Sequence, residues 1–247
     1  MTTNTNRRNF ILHGLIASTA AFTPPLRAQE VDNKLPKKSV SEPTSRRRIR
    51  QTHDLKLVTE FVSAAHRDID KVKEMVAEDN KLVFASVDTG NVGMGDWETA
   101  LNGAAHTGRR NIALFLLSQG ARIDAFCAAM LGYRSVILEL LNAAPATATI
   151  KGPHGLTLLY HTAIGGDVAI AQALKPLLPP NAPDFNQALS AAARGGHLKM
   201  TEWLLANGVS NVDAPDGFKK TPLKIALEKG FSDVATVESA GSVQDGR

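Results

Sequence analysis

The chain has 247 residues, 43% of them hydrophobic and 5% aromatic, with a formal net charge of +4. Residues 1–50 hold 10 Lys/Arg against 3 Asp/Glu, and the remainder holds 18 against 21, so the basicity belongs to the N-terminus. A mildly acidic body argues against sequence-independent nucleic-acid binding, and a single cysteine, Cys127, excludes an intrachain disulfide.

From the N-terminus, Arg7-Arg8-Asn9-Phe10-Ile11-Leu12 leads into a weakly apolar run over residues 10–22, and Pro24-Pro25-Leu26-Arg27-Ala28-Gln29 follows. A positive stretch, a short apolar stretch and a small residue before polar sequence predict a signal peptide over residues 1–28. The apolar run is too short for a stable membrane span. Arg7 and Arg8 followed by Phe10 resemble a twin-arginine export signal. That resemblance implies engagement of the twin-arginine export machinery of a bacterial cell, and a periplasmic or secreted mature protein. A basic tail on a cytoplasmic protein is the alternative. Residues 29–58 read as a disordered basic linker, too polar to bury a core. Within it, Arg46-Arg47-Arg48-Ile49-Arg50 would attract anionic lipid or nucleic acid, although a solvated run is the simpler reading.

Between residues 59 and 240 a pair of small residues recurs six times, with Gly or a substitute three positions on. The copies are Ala64-Ala65…Asp68, Ala104-Ala105…Gly108, Ala128-Ala129…Gly132, Thr162-Ala163…Gly166, Ala192-Ala193…Gly196 and Ala226-Leu227…Gly230. Small residues let two helices approach closely, and a glycine in the left-handed conformation ends the first of them. Four and eight positions later come Val72 and Val76, Ile112 and Leu116, Val136 and Leu140, Ile170 and Leu174, and Met200 and Leu204. These give a second helix its one-sided apolar stripe. The last copy keeps Val234 but has Glu238, which suits a terminal helix covering one neighbour only. Thr221-Pro222-Leu223 sets out a helix N-cap, a first-turn proline and a core leucine. Thr99-Ala100-Leu101 and Thr157-Leu158-Leu159 follow the same order without the proline. Asp216-Gly217 reads as a tight hairpin turn. No such unit can bury its apolar face alone, so the units must stack.

The strings TALNGAAHTGRRNIALFLLSQGA, ALSAAARGGHLKMTEWLLANGV and TPLKIALEKGF resemble ankyrin repeats, and the resemblance covers about residues 59–240. It implies an all-α ankyrin-repeat solenoid of about six helix-turn-helix units, with irregular hairpin fingers and a concave protein-binding groove. Residues 241–247 are left as a polar tail. Successive copies lie 40, 24, 34, 30 and 34 residues apart, against about 33 in the family. The first gap has room for an enlarged finger over residues 81–98. The second has room for none, since Gly120-Ala121 runs almost directly into Asp124-Ala125-Phe126. The fourth carries Pro176, Pro179, Pro180 and Pro183, which should break its second helix early.

Signals for chemistry are sparse. Gly90-Asn91-Val92-Gly93-Met94-Gly95 lacks the spacing and the strand–helix setting of a phosphate loop and reads as a finger tip. No base can be placed beside Cys127, which reads as a buried small hydrophobe. The seven histidines show no zinc-like local spacing. His197 fits a structural hydrogen-bonding position, and His66 and His106 read as surface contacts rather than ligands. No catalytic residue, metal ligand or cofactor is therefore assigned. The expected function is a monomeric, non-enzymatic module binding another protein at groove-facing positions: Asp96, Trp97, His106, Met130, His154, His161, Arg194 and Phe218. The competing reading is a metal- or cofactor-dependent exported factor, since twin-arginine export often serves proteins that load a cofactor before translocation. A cytoplasmic ankyrin scaffold with an uncleaved tail is the third.

Overall fold

Helix-start and helix-stop signals in the sequence convert directly into elements. A computed structural model describes residues 53–90, 95–179 and 182–245. The expected signal, with Arg7, Arg8 and Phe10, lies outside them, as do most of the linker and the centre of the Gly90-to-Gly95 loop. Twelve α-helices among the described residues pair up as α1 (Leu55–Ala65) with α2 (Ile69–Glu78), α3 (Ala100–His106) with α4 (Arg110–Ser118), and α5 (Ala125–Leu131) with α6 (Arg134–Ala143). The last three pairs are α7 (Leu158–Gly165) with α8 (Val168–Leu174), α9 (Asp184–Gly195) with α10 (Leu198–Asn207), and α11 (Pro222–Lys229) with α12 (Ser232–Asp245). The first helix begins four residues earlier than the repeat pattern suggests, and the last runs through most of the expected tail. The six first helices pack side by side in chain order, and second helices form a second row beside them.

Side chains close the helix starts as anticipated. Thr99 accepts from Asn102 N while Asn102 Oδ1 accepts from Thr99 N, a reciprocal cap on α3. Thr157 caps α7 through Tyr160 N, and Thr221 caps α11 through Lys224 N, with Pro222 in the first turn. Gly132, Gly166, Gly196 and Gly230 end their helices in the left-handed region. In the first copy Asp68 stands at that place with φ −124° and serves α2 instead, accepting from Lys71 N. The proline-rich fourth gap does shorten its second helix, because α8 stops at Leu174 and a 3-10 turn over Lys175–Leu177 follows.

One apolar seam runs from Phe61 to Val212, and a smaller cluster of Ala193, Ile225, Ala226, Val234 and Ala235 serves the last repeat. The stripe positions of repeats one, two, four and five are buried as read, but α6 is turned by one residue. Ile137 and Leu141 are buried, whereas Val136 is 49% exposed and Leu138 42%. Residues 136–138, 140 and 141 are all apolar, so periodicity could not choose a face. Glu238 is a second correction. It is fully buried on the face that α12 turns to its neighbours, and burial pushes its carboxyl pKa up to about 8. At Asp216-Gly217 the chain makes a tight turn without strands among the described residues, and the left-handed position falls at Lys219 (φ 60°) rather than at glycine.

Candidate functional site

The finger of the second repeat is a short antiparallel hairpin in which β1 (Ser86–Asp88) pairs with β2 (Trp97–Thr99), and Asp88 faces Trp97. Asp88 holds the turn by accepting from Gly95 N at 2.8 Å, Gly90 N at 3.1 Å and Asp96 N at 3.1 Å. These backbone donors keep its carboxyl below the usual range. Alternation along β2 sends neighbouring side chains to opposite faces. Trp97 is 60% exposed, while Glu98 is 2% exposed.

No finger separates α4 from α5, so the long finger of repeat two meets the turn that opens repeat four. That turn bridges Lys151 to Thr157, and its Pro153–Gly155 portion is 3-10 with His154 in the left-handed region (φ 61°). His154 N donates to Asp96 Oδ1 at 3.0 Å, and Thr89 Oγ1 donates to Asp96 Oδ2. An open cleft of about 260 Å³ remains between the two, bounded by Gly95, Asp96 and Trp97 on one side and by Lys151, Gly152 and Pro153 on the other. Asn102, Asp124 and Phe126 also line it. Asn102 Nδ2 donates to Asp124, which in turn caps α5 through Cys127 N at 2.8 Å.

Behind the cleft, four side chains from four elements converge. His66 caps the C-terminus of α1, Glu98 lies on β2, His106 ends α3, and His154 belongs to the repeat-four turn. His66 Nε2 and His106 Nδ1 each lie 3.3 Å from Glu98 Oε1, and His154 Nε2 lies 3.3 Å from Oε2. The His106 ring sits edge-on to both other rings, 4.8 Å from His66 and 5.0 Å from His154 between centroids. Burial pushes the His106 pKa down to about 2, with the neighbouring His66 and His154 adding to the effect. His66 feels burial most, which acts downward. The Glu98 carboxylate and the Val62 carbonyl outweigh it and leave the pKa above the ordinary value.

The structure sorts the sequence-derived site residues into four groups. Trp97 and Phe218, the latter 78% exposed, stand on the surface. Asp96, His106 and His154 join the buried junction between the fingers. Met130 and His161 are corrections, being 2% and 1% exposed. Helices α5 and α7 are each covered by a first helix on both sides, and His161 Nδ1 is tied to Thr157 O at 2.8 Å with its ring against Phe126 and Tyr160. Arg194 is held by Asp216 on the last turn. His197 is structural as read, its Nε2 lying 3.0 Å from Ile164 O. His66 is not the surface contact the sequence suggested. Cys127 is fully buried, and burial together with the Asp124 charge pushes its thiol up to about 12, which suppresses a nucleophilic thiolate.

Sequence reading missed Glu98 entirely. One signal for it existed, since alternation in Trp97-Glu98-Thr99 puts the glutamate opposite an exposed indole. The short second gap also implied that two non-adjacent fingers become neighbours. Neither reveals which histidines would gather there.

Comparison with known proteins agrees with this architecture. Residues 189–237 match the family model described as ankyrin repeats (many copies). A transient receptor potential cation channel subfamily A member 1 homolog of Caenorhabditis elegans is 36% identical over 98 residues, which is 38% of this chain and 8% of that protein. The fold is an all-α ankyrin-repeat solenoid, and the finger deletion lies within it. Among the described residues no helix is long and apolar enough to cross a membrane.

Proposed function

We propose that this ankyrin-repeat solenoid is a non-enzymatic module that holds another protein, a segment of which enters the cleft between the two fingers beside Trp97. Exposure of the Trp97 indole at the rim of that cleft carries the reading. A few residues carry most of the energy of a protein interface once water is excluded, and tryptophan is enriched among them. Ankyrin repeats generally mediate protein–protein interaction, and Phe218 on the last turn offers a second exposed aromatic in the same array. Trp97→Ala is expected to weaken capture of the partner by at least tenfold (roughly 1.4 kcal/mol or more) while leaving the thermal midpoint within about 1 °C. Affinity purification with the wild-type chain, mass spectrometry of what it retains, and titration of both proteins check this. Undiminished binding by the variant, or a parallel fall in its stability, counts against the cleft.

Arg7, Arg8 and Phe10 support placing the mature protein in the periplasm or outside the cell. N-terminal sequencing of protein from the periplasmic fraction is expected to find a start near Gln29. A start at Met1 rejects the export reading.

A further inference from the structure

We propose that His66, Glu98, His106 and His154 bind one divalent first-row transition-metal ion, which pins the finger of repeat two to the turn of repeat four. Each offers one ligand atom, and these atoms lie within 4.8 Å of one another. A tetrahedral ion with bonds of 2.0–2.1 Å needs ligand atoms about 3.3–3.4 Å apart. Each of the three histidines already stands 3.3 Å from a Glu98 oxygen. Two of those distances are to Oε1 and one is to Oε2, and the full set extends to 4.8 Å, so the four side chains would draw in by about an ångström around an ion.

A second observation is independent of the spacing. Glu98 and His106 are at least nine-tenths buried, yet Glu98 Oε1 and His106 Nδ1 make no hydrogen bond. Buried polar atoms are almost always satisfied, and these two lie 3.3 Å apart. A cation there would satisfy both and neutralise the buried carboxylate.

The surroundings also orient the ligands as metal sites do. Metal-bound histidines generally engage a carbonyl or carboxylate through the other ring nitrogen. His66 Nδ1 lies 2.8 Å from Val62 O, which leaves Nε2 toward Glu98. Asp96 Oδ2 lies 3.8 Å from His154 Nδ1, which leaves His154 Nε2 toward Glu98. Three imidazoles with one carboxylate suit zinc, iron(II), nickel or copper(II), and not calcium or magnesium, which prefer all-oxygen shells. Four protein ligands complete a tetrahedron, the arrangement of a structural rather than a catalytic ion. The ion would replace, across the missing third finger, the contacts an intact row of fingers makes for itself. This site stands or falls independently of any protein partner.

The test uses the untagged full chain, stripped with EDTA and dialysed against zinc or cobalt(II). One equivalent per chain is expected by elemental analysis, with the strong visible absorption of four-coordinate cobalt and a zinc-dependent rise in thermal midpoint. His154→Ala and Glu98→Gln should each weaken binding on the order of 100-fold or more, and His53→Ala should not. His154 is partly exposed, so its variant decides the matter if Glu98→Gln fails to fold. Substoichiometric uptake by the folded wild type, or wild-type affinity in a His154→Ala protein that keeps its far-UV circular dichroism, would overturn the proposal.

Discussion

Gly165→Ala is expected to destabilise the array by about 3 kcal/mol, a fall of roughly 6–12 °C in thermal midpoint for a body of this size. The added methyl would clash with Met130 O and lie 2.9 Å from the carbonyl carbon and Cα of the same residue. Those are backbone atoms of α5, so no rotamer change can make room, and α5 and α7 must move apart. Alanine is the better helix former by about 1 kcal/mol, which offsets only part of the cost. Gly230→Ala provides the contrast. Its φ is +78° and nothing lies within 4 Å of the new methyl, so only the left-handed strain of about 1 kcal/mol remains. Differential scanning fluorimetry of the two variants separates crowding from strain. Equal shifts would show that Gly165 does not set the spacing of the first helices.

The second large effect is expected at Leu159, which is fully buried on α7 in the fourth repeat. Leu159→Ala should cost about 3 kcal/mol through lost burial and the cavity left behind. Ile225→Ala removes a comparable side chain from the small cluster of the last repeat. In a stacked array each repeat leans only on its neighbours, so position should decide how the loss spreads. Truncation at Leu159 is expected to lower the global urea midpoint. Truncation at Ile225 should chiefly release amide protection in residues 222–245, with the rest of the chain nearly unaffected. Hydrogen exchange read by mass spectrometry checks both, and identical protection maps would mean that the array unfolds as one block.

Much of this fold is legible without coordinates because its rules are local. Thr99, Thr157 and Thr221 mark helix starts by bonding to amides three residues on, and Gly132, Gly166 and Gly196 mark helix ends by a backbone conformation that other residues resist. Repetition made each weak signal strong. Where a segment is apolar on every side, the same logic fails, as in α6, where Ile137 rather than Val136 turns inward. Helix α7 defeats it in another way. Covered on both sides by α5 and α9, it buries Leu158, Leu159, His161, Thr162, Ala163 and Ile164 together. His161 on such a helix reads as a polar groove residue until its neighbours are known.

The amino-acid order alone determined the number of repeats, their caps, the absent third finger and the early end of α8, since each depends on residues a few positions apart. Only the packed chain decided which face of α6 turned inward, and that Glu238 would be enclosed. It also decided that His66, Glu98, His106 and His154, drawn from three repeats, would meet behind one cleft. Such a meeting depends on how far each stacked layer shifts over the last, a distance set by the sum of side-chain volumes between the helices and by no single motif.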